Sequence, residues 1–186
     1  MLSKVRTRRR ILDAAFELAA QGGYDALQVR AIAQRAGVSS RTIYENFASL
    51  DSLLIVAVGE QSDVLDRRHN QSLPEGPTPA ARVNGLIDGL TETITANRAL
   101  TVALVRALLS GKPDVAQHVR GYREATREAL TAAITAEQPT KTDRDVAEIL
   151  ESTWFTALAG WATGTAADTD ISEIMRSATR LLLPDC

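Results

Sequence analysis

No window of this chain alternates apolar and polar residues over the length of a strand, while apolar residues recur at helical spacing almost throughout. A sheet built from such a sequence would have no clean face to bury, so the fold class is all-α. At 186 residues the chain is long enough for about nine helices and a sizeable core.

The helix ends can be read from caps and breakers. The first helix, over about residues 6–21, places Ile11, Leu12, Ala15, Phe16 and Ala19 on one stripe and ends at Gly22-Gly23. The second, about 28–36, turns Ile32, Ala33 and Ala36 inward and stops at Gly37. Ser39 caps a third helix at 40–46, and Ser49 caps a longer fourth with Asp51 in its first turn, where a carboxylate suits the positive end of the dipole. "NQSLPEGPTP", 70–79, is the clearest break, and Thr78-Pro79 opens a fifth helix to about Asn97. "RALTVALVRALL", 98–109, is apolar on nearly every side, so it is buried all round or lines a cavity. A helix from Pro113 to about Ala136, another over 143–164, and a last one begun by Asp170 with Glu173 and ended at Pro184 complete the set.

The third helix carries the functional signal. In "AGVSSRTIYENF", 36–47, only Ile43 and Phe47 have the i, i+4 spacing of core residues, and the other positions are donors and acceptors. Two short helices joined by an Ala-Gly-Val-Ser turn, behind a longer supporting helix, make a helix-turn-helix, whose second helix enters the DNA major groove. Arg41 is the best base reader, because a guanidinium spans guanine O6 and N7. Ser40, Thr42 and Asn46, with Ser39 at the helix start, are candidates for base edges or phosphates, and Tyr44 for a phosphate. Arg30 can reach the backbone or an adjacent base, and the arm of Arg6, Arg8, Arg9 and Arg10 adds sequence-independent attraction.

Charge agrees with this division. Residues 1–47 hold eight Lys/Arg against four Asp/Glu, and residues 48–186 hold thirteen against nineteen. A basic head on an acidic body implies that only the head meets a polyanion.

Other classes find no footing. There is no Gly-x-Ser-x-Gly and no zinc spacing, and "SGKP" at 110–113 lacks the glycine and hydroxyl residue of a phosphate loop, so neither an enzyme nor a cofactor is expected. Cys186 is the only cysteine, and His69 and His118 read as surface residues, which leaves no metal site. No apolar run of membrane length occurs and the N-terminus is an Arg cluster, so a soluble cytoplasmic protein with no membrane partner is expected.

The run "RRRILDAAFELAAQGGYDALQVRAIAQRAGVSSRTIYENFASLDSLL" resembles the DNA-binding domain of the TetR family of bacterial repressors. The resemblance lies in Gly-Gly-Tyr after the first helix, "IAQRAGVS", Tyr44-x-x-Phe47 and a following S-x-x-x-L-L, over about residues 8–56. It implies a nine-helix homodimer with a ligand pocket in its C-terminal part, and DNA contacts from Arg30 and the third helix. Members usually carry Lys after the serine that starts the fourth helix; here Leu50 stands in its place.

The domains are thus expected to be a helix-turn-helix head over 1–48 and a ligand-binding and dimerisation body over 49–186. Leu150, Trp154, Leu158 and Trp161 repeat at i, i+4, i+8 and i+11, and with Ile174 and Leu181 of the last helix they are the candidate dimer face. Leu86, Leu90, Ile94, Leu104, Val105, Leu108 and Phe155 are candidate pocket lining, with Arg106 or Tyr122 for a polar ligand end. Few aromatics leave no cage for flat cations, so an apolar, neutral or anionic effector fits better. "STWFTALAGWATG", "TDIS" and "RLLL" are further similar to the family's repressors of steroid and cholesterol catabolism, whose effectors are sterol-derived acyl-CoA thioesters.

The mechanism these features suggest is a dimer that holds two reading helices at the spacing of a palindromic operator until a small-molecule effector shifts that spacing. The rivals are a DNA-binding head on a catalytic body and a DNA-binding protein with a ligand-independent body.

Overall fold

The computed structural model describes residues 2–69 and 75–183 of the chain. Residues 70–74 of the Pro/Gly break, the His69 imidazole, Pro184 and Cys186 lie outside the described residues. Nine α-helices and no strand occur among those described: α1 (Leu2–Gly22), α2 (Val29–Ala36), α3 (Ser40–Asn46), α4 (Leu50–His69), α5 (Pro79–Thr95), α6 (Arg98–Leu108), α7 (Pro113–Ile134), α8 (Lys141–Ala162) and α9 (Asp168–Leu182). A 3-10 turn, Tyr24–Ala26, joins α1 to α2.

Where the ends differ from the sequence expectation, a side chain decides. Helix α8 begins at Lys141 because Thr140 closes a capping box with Asp143, each accepting from the other's backbone N–H. Helix α5 stops at Thr95 because Asn97 serves α6, its Oδ1 accepting from Leu100 N at 3.0 Å. Helix α9 starts before Asp170, whose carboxylate reaches back to Ala167 N at 2.6 Å as a residue inside the first turn.

Two compact units form. The first gathers α1 to α4, α6 and the start of α7 to Val119; the second holds α5, the rest of α7 from Arg120, α8 and α9. Packing therefore cuts the chain differently from a head over 1–48 and a body over 49–186, since α4 and α6 share a core with the head. Helix α1 packs on α2, α4 and α6, burying Ile11, Leu12, Ala15 and Ala19 with Ile32, Leu53, Leu54, Ala103 and Ala107. Hence "RALTVALVRALL" is apolar because it is sandwiched, and only Arg98, Arg106 and Leu109 of it are exposed.

The second unit is built on α8. Leu150, Trp154, Leu158 and Trp161 are buried in it with Val83, Ile87, Leu130, Ile171 and Met175. The Trp154 indole N–H donates to Thr91 Oγ1 at 3.2 Å, satisfying the one polar atom of a large apolar side chain. Arg82 closes the C-terminal end of α7 by donating to the Ala133 and Ile134 carbonyls at 2.8 and 2.9 Å.

Candidate functional site

Helix α3 is short, yet its ends are tightly specified. Gly37 takes φ 62° after α2, a left-handed position that lets Val38 N reach back to Ala33 O at 3.0 Å. Ser39 then starts α3, its hydroxyl accepting from Thr42 N at 3.1 Å. Ile43 and Phe47 are buried, so the helix is held on the head by one face only.

Its outward residues divide by what they still have to offer. The hydroxyls of Ser39 and Thr42 lie 2.9 Å apart and serve each other, and the Asn46 amide donates to Thr42 O at 2.7 Å. Arg41 is 87 % exposed and its Nε donates to Glu45 Oε1 at 2.8 Å. Tyr44 projects into solvent and, with Ser40, Arg30, Gln28 and Val29, lines a shallow cleft at the start of α2.

The N-terminal arginines are less free than the sequence suggests. Because α1 runs back to Leu2, the arm is helix, and three of its arginines find partners on α1, α4 and the turn after α2. Arg8 lies over the Phe47 ring at 5.1 Å and pairs with Glu60 of α4 at 3.1 Å; Arg9 pairs with Asp13 at 3.0 Å and with Glu60 at 3.6 Å. Arg10 donates to Gly37 O at 3.2 Å. These three are tied to the head by such contacts, although Arg9 and Arg10 are exposed, as Lys4 and Arg6 are.

The start of α4 is a polar node that sequence reasoning read only as a helix dipole. Asp51 is buried, accepts from the Tyr24 hydroxyl and pairs with Lys112 at 2.6 Å. Ser49 caps Ser52 N at 3.1 Å while donating to Asp114 at 2.6 Å. Burial first, and then the hydrogen bond to Asp51, push the Tyr24 phenol up to about 12. Arg106, a candidate for a ligand's polar end, instead lies 4.0 Å from the centre of the Tyr24 ring and pairs with Asp25 at 3.3 Å. Val105 and Leu108 belong to the core of the first unit, and Leu104 is half-buried there.

The remaining pocket candidates fall in the second unit. Leu86, Leu90 and Ile94 follow one another along α5 and are all half-buried, beside the fully buried row of Val83, Ile87 and Thr91. Phe155 is also half-buried, with the Arg123 guanidinium 5.7 Å from its ring centre. Burial, and then the negative charge of Glu151, push Tyr122 up to about 12. Glu151 is itself buried and receives Arg123 through Nε at 3.0 Å and Nη2 at 2.7 Å. That pair was not found from sequence, because its members stand on different helices with no local spacing to connect them.

The expected dimer stripe is corrected by burial. Leu150, Trp154, Leu158 and Trp161 face their own protomer's core, Trp154 being 1 % exposed, so they are not available to a second chain. The periodicity was real, but the apolar face it marks is the inner one. The outer face carries Ile149, 50 % exposed, and a groove of about 720 Å³ lined by Ile149, Thr153, Thr156, Gly160 and Ile174. Ile174 and Leu181 of α9, the other members of the expected dimer face, are 43 % and 78 % exposed.

Among the described residues no group of three or more His, Cys, Asp or Glu could hold a metal ion, and no helix is long and apolar enough to cross a membrane.

The signature of bacterial regulatory proteins of the tetR family matches residues 11–57, and that of the tetracyclin repressor-like C-terminal domain matches residues 76–182. The HTH-type transcriptional repressor KstR of Mycobacterium tuberculosis is 33 % identical over 178 residues, 96 % of this chain and 81 % of the relative. KstR of Rhodococcus jostii is 32 % identical over 178 residues, 96 % and 83 % of the two chains. A TetR transcriptional regulator from Rhodococcus sp. RHA1 superposes with a TM-score of 0.81 at 25 % identity, covering 97 % of both chains. FadR of Thermus thermophilus, a repressor solved with lauroyl-CoA, has a TM-score of 0.73 at 21 % identity, over 94 % of this chain and 92 % of that one.

Proposed function

The chain belongs to the TetR family of bacterial transcriptional regulators, and we propose on that premise that it is a dimeric repressor released from DNA by an acyl-CoA thioester. The observation that carries the DNA half is the one-sided burial of α3. Ile43 and Phe47 spend the inner face on the head, and Arg41 and Tyr44 leave the outer face as donors in solvent. Arg30 and Ser40 border the same cleft as Tyr44, which suits backbone contacts flanking a base contact from Arg41. Arg8 and Arg9 act by bracing α1 against α4, and Lys4 and Arg6 supply the diffuse attraction.

Two-fold pairing is assigned to the outer face of α8 and α9, where Ile149, Ile174 and Leu181 present apolar surface and Gly160 permits close approach. One reading helix touches few base pairs, so a second copy supplies the other half-site.

The effector reading draws on three supports. The chain is similar to KstR over nearly its whole length, the same fold in Thermus FadR accommodates lauroyl-CoA, and Leu86, Leu90, Ile94 and Phe155 form aliphatic and aromatic surface left half-buried in the second unit. A long or polycyclic acyl group matches such surface. As its relatives are transcriptional regulators, the chain is read as binding its effector without turnover.

The test is direct. Duplexes recovered by the protein from fragmented genomic DNA should share a palindrome, and saturating sterol-derived or fatty acyl-CoA should release them. Unchanged operator affinity with every acyl-CoA would refute the effector class; recovery of DNA without a shared sequence would refute operator reading; conversion of the bound thioester would restore the enzyme alternative.

A further inference from the structure

We propose that Glu45 is a positioning residue for base recognition, holding the Arg41 guanidinium so that its two terminal nitrogens face outward as a fork for one base pair. The proposal rests on α3 being the reading helix.

Stability does not account for this ion pair. Both side chains are largely exposed, at 87 % and 56 %, and exposed pairs contribute little to folding. The order along the helix, Arg four residues before Glu, is also the less favourable one. Nor does attraction to DNA account for it. A carboxylate on the outward side of a seven-residue helix repels every nearby phosphate and weakens sequence-independent binding. What remains is orientation.

The geometry fits that role. Glu45 Oε1 takes the hydrogen of Arg41 Nε at 2.8 Å, which fixes the plane of the guanidinium and leaves Nη1 and Nη2 for another acceptor. An end-on pair of N–H groups is the arrangement that meets guanine O6 and N7 together. The neighbouring donors are engaged within the helix, the Asn46 amide N–H on Thr42 O and the Ser39 hydroxyl with that of Thr42. A guanidinium already held in one plane loses less freedom on docking, a gain that reaches only the duplexes carrying the matching base.

The experiment begins with the duplex most enriched by the wild-type protein from a random library, together with all its single-base-pair variants. Affinities are measured for wild type, Arg41→Ala, Glu45→Ala, Glu45→Gln and the double variant Arg41→Ala/Glu45→Ala. Glu45→Ala is expected to relax the same base pair as Arg41→Ala, by about three- to tenfold, and to leave the other positions unchanged. Glu45→Gln, which still accepts through its amide oxygen, should recover part of that preference. Adding Glu45→Ala to Arg41→Ala should then change nothing further.

Additive effects in the double variant would overturn the proposal. So would relaxation at a different base pair, which would make Glu45 a direct reader accepting from cytosine N4, or tighter binding of Glu45→Ala to every duplex alike, which would leave it only repelling phosphate. If Arg41→Ala relaxes no base pair, the reading of α3 falls and this proposal with it. Melting of each variant, expected to match wild type, separates these outcomes from loss of fold.

Discussion

Trp154 and Ile149 stand five residues apart on α8, and exchanging their expected roles gives a sharp test of where the dimer forms. Trp154 is 1 % exposed and its indole N–H meets Thr91, whereas Ile149 is 50 % exposed. Truncating a buried tryptophan to alanine costs about 3 to 5 kcal/mol, through lost transfer free energy and the cavity left behind. The orphaned Thr91 hydroxyl adds about 1 kcal/mol. Trp154→Phe keeps most of the ring and should lose about 1 to 2 kcal/mol, the hydrogen bond plus a smaller void. Ile149→Lys puts a charge where solvent already reaches, so it should cost the isolated protomer under about 0.5 kcal/mol. Across a two-fold interface the same lysine meets an apolar surface and, near the axis, its own copy, which costs several kcal/mol. Sedimentation and urea unfolding at two protein concentrations distinguish these effects, because only a dimer's stability depends on protomer concentration. Trp154→Phe should lower the unfolding midpoint and sediment as wild type. Ile149→Lys should sediment as a monomer at concentrations where wild type is paired. Dissociation by Trp154→Phe without loss of protomer stability, or an unaltered dimer in Ile149→Lys, would refute the assignment.

Three other outcomes are expected. Arg41→Ala should lose about 1 to 3 kcal/mol of discrimination for one base pair while affinity for random DNA changes little, as read by competition binding; equal loss on both would make it a phosphate contact. Arg123→Ala strands the buried Glu151 charge and should destabilise by about 3 kcal/mol in urea unfolding, with most of the loss recovered in Arg123→Ala/Glu151→Leu. Tyr24 and Tyr122 both stand at about 12 in the folded chain against 10 for a free phenol. The unfolded chain therefore releases these protons first, and stability should be unaffected by them below about pH 10 and fall between about pH 10 and 12. Tyr122→Phe should flatten that alkaline loss.

The sequence made the helices and the reading helix legible because local chemistry determines them. Ser39, Gly37, Thr78 with Pro79, and the Ile43/Phe47 pair each act within a few residues, and each appears in the fold where its pattern places it. Facing was harder. The stripe Leu150-Trp154-Leu158-Trp161 has helical period, but a period fixes which residues share a face and not what covers that face. The outer face of α8 escaped notice because threonines and a glycine separate its apolar residues. The contacts of Arg106 were hidden for another reason. A cation in an apolar run suggests a ligand, yet its partners Tyr24 and Asp25 lie far off in sequence, Asp25 by 81 residues, and no pattern in one chain announces such a contact.

The long-range polar contacts follow a logic of their own. Asp51 sits in the first turn of α4, where the helix dipole favours a carboxylate, but burial there would be costly for a charge without partners. Its partners come from two directions: Tyr24 from the turn before α2, and Lys112 from just ahead of α7. Ser49, one step before α4, is likewise bound to Asp114 in the first turn of α7. The start of α4 is therefore fixed jointly by the turn before α2 and by the start of α7. Surface ion pairs such as Lys141 with Asp145 can be exchanged with little effect, whereas this buried node couples the placement of three segments to one carboxylate. Loss of Lys112 would leave the buried Asp51 with the Tyr24 hydroxyl alone and no countercharge, so the placement of the start of α4 depends on the residues just ahead of α7.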